Sequence, residues 1–146
     1  MRVSLLTNGT RGDTQPMTVL AAEVRRRGHD VRIAASPNTL DVPRACGIEA
    51  TAFGPDSQAL MESEAGQRWL AAGDVRAFMK EITTVSHQTF ETAVEEARAA
   101  CAGADLIVAG ILAEDLADVM AESNQVPLVT VHSAPCVAPA PTRTPW

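Results

Sequence analysis

The chain opens with an apolar run too short for a helix, Val3-Ser4-Leu5-Leu6. It passes into Thr7-Asn8-Gly9-Thr10-Arg11-Gly12-Asp13-Thr14-Gln15-Pro16 and then into an amphipathic segment closed by Gly28. A buried strand, a glycine-bearing turn and a helix in direct succession leave few architectures open, because the helix must lie back over the strand it has just left. The spacing predicts a strand over about Arg2 to Thr7 and a helix over about Pro16 to Arg27. Pro16 suits a first helical turn, where its missing N–H has no intrahelical partner, and Gly28 suits the end. Val19, Leu20 and Val24 supply the apolar face, and Arg25-Arg26-Arg27 place cations beside the last exposed carbonyls.

The same alternation continues down the chain. Asp30 to Ala35 reads as a second strand, Ser36-Pro37-Asn38 as a turn into a short helix ending at Gly47, and Ile48 to Phe53 as a third strand ending at Gly54-Pro55. A helical piece then runs through Met61 and Trp69 to Gly73. From Asp74 to about Ala102, Val75, Phe78, Met79, Ile82, Val85, Thr89, Phe90, Ala93, Val94 and Ala97 recur at three-and-four spacing and predict one core-facing stripe. Asp105 to Ala109 is a fourth strand, Leu112 to Ser123 a helix, and Pro127 to Val131 a fifth strand. Residues 135–146 carry four prolines and no periodicity and read as an extended tail, so the predicted domain covers residues 1–134.

Apolar strands separated by helices imply an α/β fold, a Rossmann-like doubly wound parallel sheet of about five strands with right-handed crossovers. Such sheets bind ligands at the carboxyl ends of their strands. The loops after Leu6, Ala35, Val108 and Val131 therefore share one rim. It would hold the Gly9 to Asp13 turn, Ser36 to Asn38, Gly110 with Glu114, and His132 with Ser133.

Composition narrows the function. A formal charge of -6, with twelve dispersed Lys and Arg, argues against a nucleic-acid surface, which needs clustered cations to meet phosphate. No window approaches the roughly 20 apolar residues that cross a bilayer. The start carries too short an apolar run for a signal peptide, which reads as a soluble, cytoplasmic chain. Cys46, Cys101 and Cys136 are far apart with no CxxC pair, so neither a disulfide framework nor a zinc site is indicated, and they read as small apolar fillers. No metal or cofactor is implied.

The turn is neither GxGxxG nor GxxxxGK[ST], so no nucleotide fingerprint is present. Its residues do carry a likeness. Gly9-Thr10-Arg11-Gly12-Asp13, followed by Gln15-Pro16, resembles the opening of GT-B glycosyltransferases, with the N-terminal domain of the sterol and glycopeptide-antibiotic group the nearest match. Arg26-Arg27-Gly28-His29-Asp30-Val31-Arg32-Ile33-Ala34 resembles that family's first helix, tight turn and second strand. The likeness fades after Phe53 and returns, less specifically, over residues 103–133.

The resemblance implies an acceptor-binding N-terminal domain of an inverting enzyme. Such an enzyme moves a sugar from a nucleotide-diphosphate sugar to a hydroxyl of a lipophilic small molecule. The donor would be held by a C-terminal domain that this chain lacks. The resemblance also implies a role for Asp13, at the position that takes the acceptor's proton. The start of a helix and nearby Arg11 both favour its ionised form, and a carboxylate still serves if the proton is lost late in an oxocarbenium-like transition state. The alternative role for Asp13 is an N-terminal helix cap.

Gly9 and Gly12 would shape the turn. Thr10 would contact donor diphosphate or bond its own backbone, and Arg11 would orient Asp13, meet phosphate or stay solvated. His132 and Ser133 would offer an acid/base group and an acceptor contact, or a hydrogen-bonded structural histidine. Met61 and Trp69, in the irregular region, would line an apolar acceptor pocket or pack in the core. Two other function classes stay open: a Rossmann-type cofactor module of an oxidoreductase or epimerase, and a non-catalytic binding domain.

Overall fold

A computed structural model describes residues 1–133, apart from the side chain of Trp69. The predicted tail, with Cys136, lies outside the described residues. The strands are β1 (Arg2–Leu6), β2 (Asp30–Ala35), β3 (Glu49–Ala52), β4 (Leu106–Gly110) and β5 (Leu128–Val131). The helices are α1 (Arg11–Arg26), α2 (Asp41–Ala45), α3 (Ser57–Glu62), α4 (Glu64–Ala72), α5 (Val75–Cys101) and α6 (Glu114–Asn124). Short 3-10 turns occupy Pro37–Thr39 and Ile111–Ala113.

All strand pairs are parallel, in the order β3-β2-β1-β4-β5. The chain winds outward from β1 through β2 to β3, then returns through α5 to β4 on the other side of β1. The strand order reverses between β1 and β4, and the crevice that a doubly wound sheet offers to ligands opens there.

Alternation along β1 sorts its side chains between two cores. Val3 and Leu5 join Met17 and Ala21 of α1, Val31 and Ile33 of β2, and Val108 of β4. Leu6 faces the opposite way, among Ala97 and Cys101 of α5 and Ala117 and Met120 of α6. Buried Ser4 shares that second face. Its hydroxyl donates to the Ala100 carbonyl at 2.8 Å and accepts from Arg32 Nε at 3.1 Å, so it keeps both partners that burial requires. Alanines at 93, 97 and 100 let α5 lie close against the sheet.

Three expectations need correction. Helix α1 begins at Arg11, with Thr10 as N-cap, so Pro16 sits in the second turn and Gly12 is helical. The cap is held from both ends: the Gly12 N–H donates to Thr10 Oγ1, and Asp13, the third helical residue, accepts from the Thr10 backbone. Asp13 is therefore not the N-cap. Secondly, the α5 stripe is fully buried only over its last turns. Ala93, Ala97 and Ala100 are buried, whereas Val75 is 69% exposed, Met79 53% and Phe90 55%. Phe78, Ile82 and Val85 on the same stripe are half-buried, so the N-terminal part of α5 packs only partly, with α4 among the elements the helix meets. Thirdly, Cys46 is exposed, so of the two described cysteines only Cys101 is a core filler.

The arginine run divides its work. Arg26 and Arg27 pair with Glu23, while Arg25 donates to the Gly47 and Cys46 carbonyls at the end of α2. Among the described residues no helix is long and apolar enough to cross a membrane.

Candidate functional site

The turn between β1 and α1 stands at the carboxyl rim of the sheet, beside the point where strand order reverses. Gly9 adopts φ +118, and a Cβ built there would lie 2.5 Å from Asp13 Oδ2 and 3.1 Å from Leu112 Cδ1. A side chain is thus excluded twice, by backbone conformation and by the carboxylate.

Every polar group of the Gly9 backbone is held. Its N–H meets Asn8 Oδ1 at 2.7 Å and Ser36 Oγ at 2.8 Å, and the Ser36 hydroxyl also donates to Asn8 Oδ1. Its carbonyl accepts from the Ser57 hydroxyl at 2.5 Å, and Asn38 Oδ1 lies 3.3 Å from the same Ser57 oxygen. The turn is clasped from the end of β2 on one side and from the start of α3 on the other. Below it, Thr14 and Thr39 share a buried hydroxyl contact at 2.9 Å that fixes α1 against the β2 loop.

Asp13 is half-buried, and its contacts run through one oxygen. Oδ2 accepts from the Thr10 N–H at 2.8 Å and from Thr10 Oγ1 at 3.1 Å. Oδ1 makes no hydrogen bond among the described residues. Arg11 does not orient it, because the guanidinium bonds Gln15 at 3.2 Å along the helix surface.

Two clefts flank the start of α1. A narrow one, about 30 Å³, has Asp13 and Gly12 on one wall and Gly110, Ile111, Leu112, Val131 and Ser133 on the other. A broad one, about 440 Å³, is lined by Thr10, Arg11, Asn38, Asp41, Ser57 and Met61, among others. The narrow cleft holds about one water, whereas the broad one falls in the range of small-molecule sites.

The predicted site residues are thus divided. Gly9 is buried beneath the turn, Gly12, Asp13 and Ser133 meet at the narrow cleft, and Thr10, Arg11 and Met61 meet at the broad one. Trp69 lies in α4, with its side chain outside the description. His132 lines neither cleft and pairs through Nε2 with Glu114 Oε2 at 3.0 Å, tying the end of β5 to the first turn of α6. Sequence reading missed Ser57 altogether. It is 48 positions from Gly9, and no local pattern points to such a contact. The Thr10 cap did carry a signal, since Thr10-x-x-Asp13 fits the reciprocal capping pattern.

Residues 3–140 match the glycosyltransferase family 28 N-terminal domain. An uncharacterised glycosyltransferase of Mycobacterium leprae is 28% identical over 135 residues, covering 92% of this chain and 32% of that protein. The vancomycin aglycone glucosyltransferase of Amycolatopsis orientalis is 33% identical over 146 residues, covering 99% of this chain and 34% of that protein. A solved glycosyltransferase of Streptomyces sp. SF2575, complexed with thymidine diphosphate, shares the fold with a TM-score of 0.60 at 18% identity, over 90% of this chain and 38% of that one. The chain spans about one third of the length of the curated relatives it matches. The doubly wound sheet, the turn that bears Asp13 and the match over nearly the whole chain agree: this chain belongs to the glycosyltransferase family 28 N-terminal domain family.

Proposed function

We propose that this chain is the acceptor-side half of an inverting glycosyltransferase, which transfers a sugar from a nucleotide-diphosphate sugar to a hydroxyl of a lipophilic small molecule. The observation that carries the reading is Asp13. Its carboxylate stands at the strand-order reversal, is oriented through Oδ2, and has Oδ1 without a hydrogen bond among the described residues. In this mechanism the acceptor hydroxyl oxygen attacks the anomeric carbon from the face opposite the diphosphate. The bond from that carbon to the diphosphate oxygen breaks, the nucleoside diphosphate leaves with the electron pair, and the hydroxyl proton passes to Asp13 Oδ1.

The broad cleft suits the acceptor by size, with Met61 and Val42 as apolar contacts and Thr10 and Arg11 among its polar lining. Donor phosphate would come from a second, donor-binding domain. Family membership and the lack of GxGxxG both weigh against an oxidoreductase or epimerase module.

The test is Asp13→Asn in a protein in which this chain is extended to both the acceptor- and the donor-binding domain. UDP-glucose and dTDP-glucose serve as donors and an aglycone panel including vancomycin aglycone as acceptors. We expect kcat to fall by about 10²–10⁴-fold with folding intact. A rate near wild type removes Asp13 as the base, and retained anomeric configuration in the product removes the inverting mechanism.

A further inference from the structure

The Gly9 carbonyl and the Thr10 N–H belong to one peptide group. Its oxygen accepts from Ser57 Oγ at 2.5 Å, and its N–H donates to Asp13 Oδ2 at 2.8 Å. Hydroxyl, peptide and carboxylate therefore form a single hydrogen-bonded chain, and each bond in such a chain polarises the next. Drawing electron density onto the Gly9 oxygen makes the Thr10 N–H a stronger donor and fixes the plane in which it meets the carboxylate.

We propose that Ser57 is a positioning residue for Asp13, acting through the Gly9–Thr10 peptide. The inference rests on the reading of Asp13 as the base and adds what sets its orientation. The peptide needs such a hold. Gly9 at φ +118 has no side chain to restrain it, and Thr10 is exposed. The Gly9 N–H is fixed separately by Asn8 and Ser36, but that bond lies on the preceding peptide and leaves the plane of the Gly9 carbonyl free to turn. Among the described residues, Ser57 is the hydrogen-bonding side chain that holds that carbonyl.

Ser57 has little structural work besides this. It is half-buried at the first position of α3, a helix with no buried residue. The cap of that helix is Asp56, whose carboxylate accepts from the Ala59 N–H at 2.9 Å, so removing the Ser57 hydroxyl leaves the cap in place. Ser57 also lines the broad cleft, which puts the wall of the proposed acceptor site one peptide away from the base.

The experiment uses the two-domain protein, with Ser57→Ala, Ser57→Thr, Asp13→Asn and the Ser57→Ala/Asp13→Asn double variant. Rates are read with UDP-glucose or dTDP-glucose and vancomycin aglycone. We expect Ser57→Ala to lower kcat by roughly 10- to 100-fold with KM little changed, because a misoriented base costs rate rather than binding. Ser57→Thr keeps the hydroxyl and restores most of the rate. In the Asp13→Asn background the Ser57→Ala change costs less than about 2-fold, since two residues acting as a unit are not additive.

In protein labelled with 15N-threonine, the Thr10 amide proton moves upfield in Ser57→Ala, a readout that needs no sugar transfer. Multiplicative losses in the double variant, or an unmoved Thr10 resonance, overturn the inference while leaving Asp13 as base. A near-wild-type rate in Asp13→Asn removes the base and the inference together.

Discussion

The hydroxyl of Ser57 and the carboxylate of Asp13 grip opposite ends of one peptide group, at 2.5 Å on the Gly9 oxygen and 2.8 Å from the Thr10 nitrogen. The residues come from α3 and α1, which are far apart in sequence and meet at the Gly9 turn and the broad cleft. The proposed base is thus held by the fold as well as by its own turn, and the site's tolerance to substitution follows from that.

Gly9 is the least replaceable residue in the turn. In Gly9→Ala a methyl would meet Asp13 Oδ2 at 2.5 Å, and φ would stay at a value that side chains disfavour. We expect a loss of about 1–3 kcal/mol in stability, read from urea denaturation, together with displacement of Asp13. An unchanged denaturation midpoint would show that the turn relaxes freely.

Thr10 caps α1 with its hydroxyl and touches Asp13 with the same oxygen. Thr10→Ala should cost about 1 kcal/mol, whereas Thr10→Ser, which keeps the hydroxyl, should stay within about 0.5 kcal/mol of wild type. Thermal or urea unfolding distinguishes them. Equal losses would mean that the methyl group, not the cap, matters.

The two halves of α5 should respond oppositely. Met79→Gln, on the exposed half, should change stability by no more than about 0.5 kcal/mol. Ala97→Leu, at a fully buried contact with the sheet, should cost about 1–3 kcal/mol through overpacking. A large loss from Met79→Gln would assign that side chain a packing partner absent from the described residues.

Cys101 gives the fold a signature at high pH. Burial pushes its thiol up to about 11, with the Arg32 charge pulling the other way. A thiol that ionises later in the folded chain than in the unfolded one contributes stability that is complete below about pH 9. That contribution is lost as pH rises toward 11, because the unfolded state releases its proton first. Urea midpoints at pH 8 and 10.5 should therefore fall more steeply for wild type than for Cys101→Ala. Parallel slopes would contradict the assignment.

Much of the fold was legible because strand runs and glycine stops are local signals. All five strands lie where their apolar runs predicted, and the ends of α1 and α5 fall at their glycines to within a residue or two. Errors arose where a local pattern had two readings. Pro16 fits a first turn, but Thr10-x-x-Asp13 caps the helix five residues earlier, and two reciprocal hydrogen bonds outweigh a positional preference. The α5 stripe is helical in period throughout, yet periodicity reports only that a face exists.

The sequence by itself determined the alternation of strands and helices, the glycine that frees the turn for Asp13, and the likeness that pointed to the family. Those depend on backbone conformation and hydrophobic period, which neighbouring residues dictate. Tertiary structure alone decided that His132 turns to Glu114 and that Ser57 reaches Gly9, whereas the Arg11–Gln15 bond is a local i,i+4 contact of α1. A side chain's partner is chosen by which elements the sheet brings within about 3 Å, and no spacing along the chain encodes that distance.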